Sequence, residues 1–182
     1  MKNYTLSDET KTLPWGTVLH RVVATTTFTL ACGLTVNAGD IGGWIEKASN
    51  LSGNAWVSGD AQVYENAQVY GDALVFGNAQ VRGNTKVSGD ARVSGNALVS
   101  GDAKVSGEAW ISGDAKVMND GDYVVFKNDW SSDRYFTWTK SNDKWLVGCF
   151  YGTGDELIKK AYADSEDSGK HYEACVKSVK TL

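Results

Sequence analysis

A chain of 182 residues and 19.6 kDa makes a single domain with small end pieces. Twenty glycines stand against a single proline, Pro14, which excludes an ordinary disordered linker and points to glycine at regular corners. Eighteen basic and twenty-two acidic residues give a formal net charge of -4, which argues against nucleic-acid binding through a basic surface and is too mild for a phosphate mimic.

In chain order, the opening MKNYTLSDET lacks the apolar stretch of a secretion signal. No apolar run approaches the roughly 20 residues that span a bilayer, and the mean hydropathy of -0.32 is that of a soluble protein. Residues 16–36 are rich in Thr, Val and Leu and predict two strands. Together with a turn-rich entry at residues 39–44, they predict a β cap over residues 1–40, because an open end of stacked coils exposes unpaired backbone.

Residues 53–118 then divide without insertion into eleven six-residue units, from GNAWVS through GDAKVM. Gly opens ten of them, with Glu65 the exception; Ala is third in ten, with Thr85 the exception; the fifth position is Val except for Ile111. In Ala-x-Val-x, alternate side chains face opposite sides of a strand, so Ala and Val point one way. Gly followed by Asn or Asp is turn chemistry, since both tolerate positive φ. Each unit is therefore a short strand and a corner. A strand this short buries no face alone, but stacked coils do, at roughly 4.8 Å per layer.

Residues 119–182 have a different composition. Strands are expected at 122–127, 134–140 and 144–150, with the turn Ser141-Asn142-Asp143 between the last two. Thr153 or Asp155 caps a helix running to Ala163. A second helix is expected from Ser168 to about Lys180, with Tyr172, Cys175, Val176 and Val179 on one face.

The repeat resembles the hexapeptide-repeat left-handed parallel β-helix: Val57, Ser58 and Ala61 fit its motif, and the fit recurs along the array. That resemblance implies three hexads per coil, a triangular prism and an eighteen-residue period. Two looser hexads extend it upstream, with Gly43, Ile45, Ser49 and Leu51 inward. The expected fold is mainly β: a prism of about four coils over residues 41–118, an N-terminal β cap and a C-terminal α+β region over residues 119–182. The order GDIGGWIE, Asn50-Leu51-Ser52, GNAWV and GCFYGT also resembles a family of uncharacterised phage and prophage proteins. It covers nearly the whole chain and implies kinship rather than a chemistry.

An acyltransferase of this fold resembles its kin in using a histidine base near a coil edge. Here no hexad contains His; His20 precedes the coils and His171 lies in the tail. Two histidines cannot supply a three-histidine zinc site. Cys32, Cys149 and Cys175 are odd in number and far apart, and read as free thiols of a reducing cytosol. Ser58 to Ser112 occupy a repeat position with no nearby His, and the Asp and Asn residues read as corner ladders. No catalytic residue, metal ligand or cofactor is therefore expected.

The outward aromatic residues carry more. An eighteen-residue period stacks Trp56, Leu74, Arg92 and Trp110 on one face and places Phe76 in the adjacent row; Tyr64 and Tyr70 lie on the other two faces. An outward apolar and aromatic patch beside Arg suggests contact, with self-association, a foreign partner or packing by the protein's own caps as the readings it leaves open. The expected function is a non-enzymatic interaction module of phage or prophage origin in the cytoplasm of a bacterial host. It binds a host protein or a small ligand, and counter-defence is one use. A homo-oligomer is expected, a trimer by family analogy, with neither membrane nor nucleic acid as partner. The alternatives are an acyltransferase and a structural virion or assembly protein.

Overall fold

Five strands lead into the array: β1 (Tyr4–Thr12), β2 (Val18–Ala24), β3 (Phe28–Thr29), β4 (Thr35–Val36) and β5 (Ile41–Ile45). Eleven two-residue strands follow, one per hexad, from β6 (Trp56–Val57) to β16 (Lys116–Val117). The computed structural model describes residues 2–182, so Met1 of the expected cap lies outside the described residues. Successive hexads turn a corner each and return after eighteen residues. Trp56 pairs with Leu74, Leu74 with Arg92 and Arg92 with Trp110, all parallel. The result is a mainly-β parallel β-solenoid of about four turns, with two helices at its C-terminal end.

The coils are held by a backbone ladder in which each N–H reaches the carbonyl seventeen residues on, as from Leu74 to Ala91 at 2.9 Å and from Phe76 to Val93 at 2.9 Å. Inside the prism, Val57, Val63, Val69 and their successors are fully buried, as are most of the Ala residues. Each such Val contributes about 1.5–3 kcal/mol over exposure. Thr85 replaces Ala in the interior, and its hydroxyl has no hydrogen-bond partner. Glu65 takes the place of a corner glycine at φ 58. Its carboxylate accepts the N–H of Gly83 at 2.7 Å, and its own N–H donates to Glu46 at 2.5 Å.

Both ends of the prism are closed by the chain itself. At the N-terminal end, β5 pairs parallel with β7 (Gln62–Val63) on one side and antiparallel with β2 on the other, and β1 continues the sheet. The free edge of β1 is irregular between Leu6 and Thr10 and carries the exposed Asp8 and Glu9, features that discourage edge pairing. The cap differs from expectation in four ways: residues 16–36 hold three strands rather than two, and residues 41–44 of the turn-rich entry are part of the strand β5. β1 precedes the region read as strands, because its polar sequence hides a pattern set by β2. Ser49 is exposed, because residues 48–50 form a 3-10 turn that swings Asn50 inward instead. The Asn50 amide donates to the carbonyls of Ala67 at 2.7 Å and Glu65 at 3.2 Å, doing the work of a missing strand.

At the C-terminal end, three N–H groups six residues apart have no further coil to bond. Side chains of the tail accept them. Asp120 takes Lys104 N–H at 2.8 Å, Thr137 takes Trp110 N–H at 3.0 Å and Ser141 takes Lys116 N–H at 2.7 Å.

The tail is an antiparallel sheet of β17 (Tyr123–Asn128), β18 (Arg134–Thr139), β19 (Lys144–Val147) and β20 (Phe150–Gly152), followed by α1 (Gly154–Asp164) and α2 (Glu166–Val179). The segment 144–150, expected as one strand, is two, because Gly148 turns the chain at φ 58. Thr153 caps α1 reciprocally with Glu156. Phe136, Trp138 and Trp145 of the sheet pack on Leu157, Tyr172, Val176 and Val179 of the helices in a second core.

Candidate functional site

The face that carries Trp56, Leu74, Arg92 and Trp110 is continuous, but its lower half is not open to partners. Trp56 is 3% exposed, with Phe28 edge-on to its ring at 5.9 Å and the Gly42 backbone close against it. Leu74 is 8% exposed, and Phe76 packs half-buried on the prism core. Tyr64, on another face, is 1% exposed in a cluster with Leu13, Leu19 and Trp44, and Trp15 covers it at 6.0 Å. Tyr70 is open, at 38%. The reading of Trp56, Leu74 and Tyr64 as outward contact residues is therefore corrected. The chain's own N-terminal segment covers Trp56 and Tyr64, and Leu74 is buried in the prism core cluster.

The upper half meets the tail sheet instead. Along β18 the side chains alternate. Phe136 and Trp138 face the helices, while Thr137 reaches the prism at Trp110. Tyr135 shares the Thr137 side and is exposed. Between this sheet and the prism lies a cleft of about 520 Å³, lined by Arg92 and Trp110 from the prism and by Tyr135, Thr137 and Leu146 from the sheet. Glu108, Asp133, Arg134 and Gly148 also line it. Asp133 and Gly148 adopt φ 55 and φ 58, so both turns use left-handed backbone to bring the sheet over the prism.

The cleft floor is fixed before anything enters it. The Trp110 indole N–H donates to Ser94 Oγ at 2.9 Å, and Ser94 is linked to Ser112 at 3.1 Å. The Arg92 guanidinium carbon lies 5.1 Å from the centre of the Trp110 ring, a cation–π contact. Glu108 is exposed; partial burial and then Asp90 one coil below push its carboxyl up, and Arg92 opposes them. Asp133 pairs with Lys127 at 2.5 Å.

The histidines lie elsewhere. His20 Nδ1 is 3.3 Å from the Ser7 carbonyl oxygen in the N-terminal sheet. His171 stacks on Trp130 at 4.6 Å with the rings 7° from parallel, and lies 3.8 Å from Asp167. Neither lines the cleft. Cys149 is exposed beside Gly148, and burial pushes the Cys175 thiol up. No group of three metal-binding side chains occurs among the described residues.

Sequence reasoning placed Arg92 and Trp110 together and missed Arg134, Tyr135, Thr137 and Leu146. The signal available for them was the alternation in RYFTWT, which leaves Tyr135 and Thr137 on the face away from Phe136 and Trp138. No curated protein matches this chain. Its array matches a family model, the YdcK beta solenoid repeat, over residues 67–83, 87–101 and 91–107, all within the coils described above.

Proposed function

We propose that the protein is a non-enzymatic binding module of phage or prophage origin. It works in the cytoplasm of a bacterial host by occupying a host macromolecule or ligand, with inhibition of a host defence system as its use. The observation that carries this reading is the cleft: Arg92 and Trp110 on a rigid prism, roofed by Tyr135 and Leu146, with neither histidine at hand. A solenoid closed at both ends is a stiff platform, and stiff platforms suit binding surfaces because little order is lost on contact. In the same reading the chain works as a homotrimer.

Affinity capture from host lysate and from its small-molecule extract tests the proposal, comparing wild type with Arg92→Ala plus Trp110→Ala. A partner held by the wild type and lost by the double variant is expected. Equal capture by both, or capture of nothing by either, overturns it. Sedimentation of the purified chain decides the trimer, for which a three-chain mass is the expected result.

A further inference from the structure

Two guanidinium groups, Arg92 and Arg134, line the cleft. None of the ion pairs among the described residues uses Arg92 or Arg134. Of the two acids that line it, Asp133 is already neutralised by Lys127. Glu108 is exposed and stacked eighteen residues above Asp90, and Arg92 is the cation that acts on it. The walls are aromatic on both sides, Trp110 below and Tyr135 above, and the cleft of about 520 Å³ has the size of a site for a small molecule. The Trp110 ring is held by Ser94, so it presents a fixed surface.

We propose that this cleft binds a small anionic ligand, a carboxylate or phosphate carried on a flat apolar body. Arg92 and Arg134 take the anion, and the flat body lies between Trp110 and Tyr135. Guanidinium groups suit this because they present paired N–H donors in one plane to two oxygens. A ring on Trp110 adds stacking beside the existing cation–π contact. The inference rests on the binding-module reading and names its ligand class.

Calorimetric titration tests it with phenyl phosphate and phenylacetate as probes, phenethylamine as the cation of the same body, and inorganic phosphate as the anion without a ring. Both aromatic anions are expected to bind saturably, and the amine not at all. Inorganic phosphate should bind at least about tenfold more weakly than phenyl phosphate, in line with the usual strength of aromatic stacking. The ratio of the two aromatic anions tells a phosphate site from a carboxylate site. Arg134→Gln, on an exposed strand position, should weaken the anions about tenfold or more with an unchanged circular dichroism spectrum, the loss of one charged hydrogen bond. Equal binding of amine and anions, or full anion affinity in Arg134→Gln and Arg92→Gln, overturns the inference. If the anions fail while lysate capture still depends on Trp110, this inference falls and the binding-module reading stands. If the anions bind but are turned over, the non-enzymatic reading falls.

Discussion

Two corner glycines separate the cost of a backbone conformation from the cost of a crowded stack. Gly83 has φ 78, and a Cβ built on it would lie 2.7 Å from Gly101 O and 2.9 Å from Gly101 N. Both atoms are backbone of the next coil, so no side chain can swing aside. Gly107 has φ 65, and a Cβ there would meet nothing within 4 Å, because no further coil covers it. An L-residue at left-handed φ costs about 1–2 kcal/mol. Overpacking adds about 1–3 kcal/mol where neighbours cannot yield. Gly83→Ala should therefore destabilise by about 2–5 kcal/mol and Gly107→Ala by about 1–2 kcal/mol. Urea unfolding followed by circular dichroism reads both, and an unchanged denaturant slope shows that the same cooperative unit is unfolding. Glu65 supplies an internal comparison. Glu65→Gly relieves the left-handed strain but removes the acceptor for Gly83 N–H, worth about 1.5–3 kcal/mol for a charged partner, so its net effect should be small. Equal losses in Gly83→Ala and Gly107→Ala, or none in Gly83→Ala, would refute stacking of corner on corner as the reason for glycine.

Thr85→Val keeps the shape of the side chain and removes the unpaired hydroxyl from the prism interior. It should raise the urea midpoint, by about 1 kcal/mol in stability. Thr137→Val deprives Trp110 N–H of its acceptor at the top of the prism. A loss of about 1–3 kcal/mol is expected, with faster hydrogen exchange at Trp110 before the rest of the array. Burial pushes the Tyr4 phenol up to about 12 from its ordinary 10.0, and its hydroxyl donates to the carbonyls of Ala48 and Leu51. The unfolded chain therefore gives up this proton first. Stability from the group is complete below pH 10 and is lost as pH rises through about 12. Tyr4→Phe should flatten the alkaline fall in melting temperature over that range.

The array was legible because its pattern is local and repeated. A unit that puts Ala and Val on one side and Gly-Asn or Gly-Asp at the corner leaves few ways to stack, and the eighteen-residue period followed. The observed pairing of Trp56, Leu74, Arg92 and Trp110 is that period in space. The start of α1 was legible for the same reason, with Thr153 one of the two expected caps, because the cap it forms with Glu156 involves only neighbours; α2 starts at Glu166 rather than at the expected Ser168. β1 was not legible, since its strand is dictated by pairing to β2 rather than by its own residues. Nor was the exposed side of Ser49, which depends on Asn50 finding the carbonyls of Ala67 and Glu65.

The sequence by itself determined the prism, its interior and its corners, because hydrophobic periodicity and turn chemistry act within a few residues. It also put Arg92 beside Trp110, one coil apart. Only the tertiary structure decided which outward aromatic residues remain available. Trp56 and Tyr64 look like Trp110 in the repeat, yet Phe28, Trp15 and their neighbours cover them. Only the tertiary structure, too, brought Arg134 and Tyr135 over Trp110 to make a cleft. The repeat specifies one surface of each contact. The second surface comes from segments outside the array, and which face they bury is settled by the packing of the whole chain rather than by any local pattern.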